Sequence, residues 1–124
     1  MANNEKEMNE AFDHFHNDIP GFIAASLVDT DSGMTLAVRS NRPDFDLAVA
    51  SAYNSELVKQ KLKIMKALNL RTTLEDMILT LGDQIHFIKI LSPTMFVYLA
   101  AERASSNIAI VRNVVNKYTT KIAA

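Results

Sequence analysis

The sequence has no cysteine and no tryptophan, and only three glycines and three prolines among 124 residues. Without cysteine there is no disulfide, no thiolate metal site and no cysteine nucleophile, a composition that suits a reducing compartment. No apolar run approaches the roughly 20 residues that a membrane helix needs. The N-terminal stretch MANNEKEMNEAFDHFHNDIPG is polar and acidic, unlike a secretory signal or an arginine-rich transit sequence. A net charge of −1 gives no electrostatic case for nucleic acid or for an anionic membrane. A cytoplasmic location is expected, with no nucleic acid and no membrane insertion. There is no P-loop, no GxSxG and no HExxH, so no catalysis, no cofactor and no metal is expected.

What is present is a folded-protein balance of 48% apolar and 22% charged residues, at a length that suits one domain with one core. Met8, Ala11, Phe12 and Phe15 recur at the spacing of one helix face, predicting a helix over residues 4–17. Pro20 and Gly21 end it. In GFIAASLVD apolar residues fall on both alternating faces, so this strand should be covered on both sides and lie inside its sheet. The DTDSG that follows is turn chemistry, and MTLAVR is the returning strand.

Asp44 to Leu68 is the longest helical signal, opened by Pro43 and Asp44 and closed by lysines at the negative end of its dipole. Thereafter TLEDMILTL, QIHFIKIL and TMFVYLAA, separated by GD and SP, read as a three-strand meander. A last helix is predicted from about Ala104 to Tyr118, with Ile108, Val111, Val115 and Tyr118 as its apolar stripe. The expected fold is thus α/β of the α+β kind: one domain, a five-stranded antiparallel sheet between helices, in the order α-β-β-α-β-β-β-α.

The long second helix has more apolar surface than one contact requires. Leu47, Ser51, Val58, Leu62 and Met65 form one flank, and Ala50, Tyr53, Leu57, Ile64 and Leu68 a neighbouring one. Together they span about half the circumference, where packing on a sheet needs little more than about 100°. One explanation is a deep groove within the chain's own fold. The other, favoured here, is that one flank meets the sheet and the other meets a second copy.

This order of elements resembles the Roadblock/dynein light chain family, within the Roadblock–longin group. The resemblance runs from about Ile19 to Tyr118. It rests on IPGFIAASLVDTDSGMTLAV, on DLAVASAYNSELVKQ, on EDMILTLGDQIHFIKIL, and on the NIAIVR after the last strand, where relatives often place a glycine at the position of Ala109. The resemblance implies residues 1–18 as an N-terminal amphipathic helix of the same domain and 19–120 as a Roadblock-like domain. In that family the hairpin forms the middle and one edge of the sheet. It also implies a homodimer formed through the second helix and the edge strand before the GD turn, for which Tyr53, Leu57, Val58, Ile64, Met65, Met77, Ile78 and Leu79 are the candidate residues. Such dimers are platforms for Ras-like small GTPases, motor components or other Roadblock proteins.

The individual polar residues point to ordinary structural roles. His14 and His16 are about 200° apart on a helix and cannot grip one metal from one face. His86, alone in a strand, is expected to be packed or hydrogen-bonded. Asp29 and Asp31 lack the longer ligand run of an EF-hand, so they are read as turn residues. Lys59, Lys63 and Lys66 share one side of the second helix. They complement its dipole, and they are the candidate docking strip for an acidic partner surface. The function expected is a non-catalytic homodimeric module that binds and regulates a Ras-like small GTPase. A scaffold or light-chain-like subunit without a GTPase, and a small-ligand sensor, are the alternatives.

Overall fold

The apolar spacing of the first helix is matched by its burial: Met8, Ala11, Phe12 and Phe15 are all inside. A computed structural model describes residues 2–122, with side chains from Glu5 to Ile122; Met1, the first residue of the expected N-terminal segment, lies outside them. The elements are α1 (Ala2–Asp18), β1 (Phe22–Asp29), β2 (Thr35–Ser40), α2 (Leu47–Ala67), β3 (Asp76–Thr80), β4 (Gln84–Ser92), β5 (Met95–Glu102) and α3 (Ile108–Thr119). The five strands form one sheet in the order β2-β1-β5-β4-β3, and every neighbouring pair is antiparallel. The fold class is the one expected.

The sheet separates two cores. On one face α1 and α3 pack together over Ala25, Leu27, Phe87, Val97 and Leu99. On the other face α2 alone meets Ala24, Val28, Ile88, Phe96 and Tyr98. Alternate residues of β1 therefore enter opposite cores, and seven of its eight residues are buried. That is why this strand reads as continuously apolar.

The helix ends differ from their expected positions, and hydrogen bonds explain each shift. α2 begins at Leu47, not Asp44, because Asp46 is the cap and its carboxylate accepts from the Val49 N–H at 3.1 Å. Asp44 instead pairs with Arg42 at 3.3 Å in the preceding turn. α3 begins at Ile108, not Ala104. Asn107 caps it, accepting from the Ile110 N–H at 2.9 Å. β3 spans five residues of the nine in TLEDMILTL.

The β1–β2 turn is built as its residues suggest. The Asp29 carboxylate accepts from both the N–H and the hydroxyl of Ser32, which lowers its pKa. Gly33 then turns the chain at φ +76°. A Cβ at Gly33 would lie 2.8 Å from Ser55 Oγ and 3.2 Å from Ala52 Cα, so strain and crowding act together there. Gly33→Ala is expected to lower stability by about 1–3 kcal/mol. A wild-type midpoint in urea denaturation would refute this account of the turn.

Candidate interaction surface

The placement of α2 decides what the molecule leaves uncovered. Its inner flank, Leu47, Ser51, Ser55, Val58 and Met65, is buried. Ser51 donates to the Leu47 carbonyl at 2.7 Å, so the 2.8 Å contact between Ser51 and Ser26 has the Ser26 hydroxyl as donor. One side of α2 faces the β1–β2 turn, where Lys59 Nζ donates to the Asp31 carbonyl at 3.2 Å and Ser55 and Ala52 approach Gly33. The opposite side carries Asn54 and Leu57 and looks across β5 toward β4 and β3.

On that opposite side the apolar residues are only partly covered. Ala50 and Leu57 are half-buried, while Tyr53 is 75% exposed, Ile64 40% and Leu68 63%. β3 continues this surface. Met77 and Leu79 are half-buried on the α2 face, beside Ile90. Ile78 points to the other face and joins the α1–α3 core, where Asp76 also takes Arg112 of α3 at 3.1 Å. Val58 and Met65, candidates for a contact between copies, are instead held inside the protomer beneath α2, at 1% and 8% exposure. They border a groove of about 480 Å³ with Leu62, Leu74 and Ile90.

Among the described residues, no strand pairs with the outer edge of β3. Ile90 N–H donates to the Glu75 carbonyl at 3.0 Å and Leu81 N–H to the Gln84 carbonyl at 2.8 Å. Antiparallel ladders alternate, so the odd positions of β3 bond to β4. The N–H groups of Asp76, Ile78 and Thr80 consequently point outward. An apolar strip and a row of unpaired donors thus lie side by side.

Beneath this strip a hydrogen-bonded chain joins β4 to β5, with Asn54 of α2 beside it. Tyr98 on β5 is fully buried, and its hydroxyl lies 3.2 Å from His86 Nδ1 on β4. His86 Nε2 lies 2.7 Å from Gln84 Oε1, and Asn54 on α2 lies near the Tyr98 hydroxyl, where it counters part of the upward shift of its pKa. Burial lowers the His86 pKa against the opposing pull of the Asp83 charge. Burial also pushes Tyr98 up to about 12. A hydrogen-bonded role for His86 was legible in its strand context. Tyr98 and Asn54 were not, because their meeting depends on strand register.

The lysine strip is less uniform than its spacing suggests. Lys59 is occupied by Asp31 and by Glu56 at 3.1 Å, whereas Lys63 and Lys66 are exposed. Arg39 is paired with Asp13 at 2.8 Å and Arg42 bridges Asp44 and Glu102. His14 stacks on Tyr118 with ring centres 3.8 Å apart, so it helps to join α1 to α3. The inside and outside of α2 can be told apart by truncation. In dilute protein, Val58→Ala is expected to cost about 2 kcal/mol of unfolding free energy, and Tyr53→Ala less than about 0.5. Equal losses would show that the helix is rotated from this position.

No family model matches the chain, and no curated protein sequence does. Solved structures do. The chain is similar to Myxococcus xanthus MglB at 12% identity and a TM-score of 0.81, over 92% of this chain and 83% of that one. It is similar to the gliding protein MglB of Thermus thermophilus at 11% identity and a TM-score of 0.83, over 97% and 88%. A Roadblock/LC7 domain from Streptomyces avermitilis gives 14% identity and a TM-score of 0.77, over 95% and 92%. By this similarity of structure the chain has the Roadblock/LC7 fold.

Proposed function

We propose that the chain is a non-catalytic homodimeric interaction module whose partner is a Ras-like small GTPase. One observation carries the dimer: the free edge of β3 and the exposed flank of α2 lie on the same side. A second copy related by a twofold axis would present the same pair of features. Joining β3 to β3 would satisfy the outward donors of Asp76, Ile78 and Thr80. Packing α2 against α2 would cover Tyr53, Leu57, Ile64 and Leu68, with Met77 and Leu79 below them. The same patch would serve on both copies, as an isologous contact requires.

The GTPase reading rests on the family resemblance and is supported by similarity to a gliding protein. Such a module acts by preferring one arrangement of the switch loops, which change order with the γ-phosphate. Lys63 and Lys66, with Lys59 beside them, supply positive charge for an acidic partner surface. A scaffold subunit without a GTPase is the competing reading, and nucleotide-state preference separates the two.

Two experiments address these proposals. By light scattering at micromolar concentration the wild-type chain is expected to be a dimer, and a monomer would refute the proposal. Ile78→Pro and Thr80→Pro each remove an outward donor and are expected to weaken the dimer about tenfold while the protomer stays folded. Leu79→Pro removes a ladder bond to β4 and is expected to damage the fold itself. In calorimetry, a Ras-like protein should bind more tightly in one nucleotide state, and changing Lys59, Lys63 and Lys66 to Glu should weaken it. Equal affinity for the GTP-analogue and GDP forms would leave a tether in place of a regulator.

A further inference from the structure

The chain from Tyr98 through His86 to Gln84, with Asn54 beside it, lies under the proposed seam, and its direction depends on one proton. In neutral His86, Nε2–H donates to Gln84 Oε1 at 2.7 Å, leaving Nδ1 as acceptor for the Tyr98 hydroxyl at 3.2 Å. The Tyr98 oxygen is then free to accept from the Asn54 amide. Each donor meets an acceptor. Protonation makes both ring nitrogens donors. The Tyr98 hydroxyl must then turn its proton away from His86, on the side where Asn54 lies. The polarity of the Tyr98–His86 contact reverses, beneath α2.

The surroundings make the charged ring costly. His86 sits opposite Leu79 of β3 in the ladder, and Phe45, from the segment before α2, meets the ring edge-on with centroids 6.4 Å apart. Tyr98 meets it from β5 at 5.4 Å. Among the groups facing the ring, α2 contributes the uncharged Asn54 and β4 the uncharged Gln84. Tyr98 stays protonated through the physiological range. Asp83 in the β3–β4 turn is the one charge whose field reaches the ring. It does not offset the burial that exists in the protomer, and a second copy covering Leu79 would bury the ring further.

We propose that His86 is a proton-operated switch on the seam between two copies of this chain, permitting the dimer when neutral and opposing it when charged. This rests on the homodimer proposed above. The sign follows from linkage. A histidine whose charged form is disfavoured in the assembled state contributes stability that is present at neutral pH. That contribution is lost as pH falls through the value in the free protomer, already below the ordinary 6.5, toward the still lower one in the dimer.

Sedimentation velocity of the full chain between pH 7.5 and 5.5 tests this. The wild-type dissociation constant is expected to rise about tenfold, since two histidines each contribute a several-fold change. His86→Gln, which can accept and donate without charge, should stay within about twofold across the range. Changing His14 and His16 to Asn together should leave the wild-type response intact. Should His86→Gln fail to fold, Tyr98→Phe serves. It removes the donor that favours the neutral ring, so the NMR titration midpoint of His86 should move up from its wild-type value. A pH-independent dimer, parallel responses of wild type and His86→Gln, or an unmoved midpoint in Tyr98→Phe would overturn the switch. A wild-type monomer at every pH would instead overturn the dimer.

Discussion

The structure depends on a mismatch of widths. Five strands at about 4.8 Å spacing make a sheet about 19 Å across between its outer strands. A helix with its side chains is about 10–12 Å wide. Two helices, α1 and α3, share one face, and their core is closed. The other face has α2 alone. It sits against β1 and β2 and reaches β5 through Asn54, so β3 and the outer part of β4 retain half-exposed apolar residues on that face. No rearrangement of side chains removes this deficit, because it comes from the number of helices. A second copy of the molecule is the simplest supply of another helix.

Polar contacts fix where along this face α2 sits. Apolar contact alone would allow the helix to roll, since hydrophobic attraction has no direction. The buried hydroxyl pair of Ser26 and Ser51, with Ser51 tied back to Leu47, gives one fixed point. Asn54 against Tyr98 gives another, one helical turn further on. Lys59 on the Asp31 carbonyl gives a third, at the turn. Such contacts are each worth about 1 kcal/mol. Their larger effect is on rotation, because a roll that exposed Val58 would leave the Ser26 hydroxyl without its partner.

Much of the fold was legible in the sequence. β1 could be placed inside the sheet because both of its faces are apolar, and Asp29 and Gly33 marked the turn because their backbone chemistry is specific to it. The rotation of α2 was not legible. Its two flanks are nearly equal in apolar content, and the polar signs mislead. Ser51 and Ser55 are buried while Tyr53 and Leu68 are exposed. Small serines fit close to the sheet and return their hydroxyls to the backbone, whereas large apolar residues overhang it. Val58 and Met65 were named with the outer residues because the sequence did not show which flank faces outward. The helix starts slipped by a few residues because Asp44 and Asp46 are equivalent as caps until Arg42 claims one of them. The Tyr98–His86 contact needed the β4–β5 register, which no local pattern encodes.

The two edges of the sheet are not equivalent, and the difference bears on how an assembly could end. β2 has helices against both faces: α2 on one and α1 on the other, where Asp13 and the Asn9 carbonyl hold Arg39. A sheet arriving at β2 would have to fit between these walls. β3 is flanked on one face by Arg112 reaching from α3, and its α2 face is open. A chain with two equally open edges could add copies at both and grow without limit. Pairing through β3, as proposed, would use that edge in both copies and leave at each end β2, held on one face by α1 and carrying the half-exposed Leu36 and Val38. If the proposed pairing forms, edge addition through β3 stops at two, because each copy has already contributed that edge.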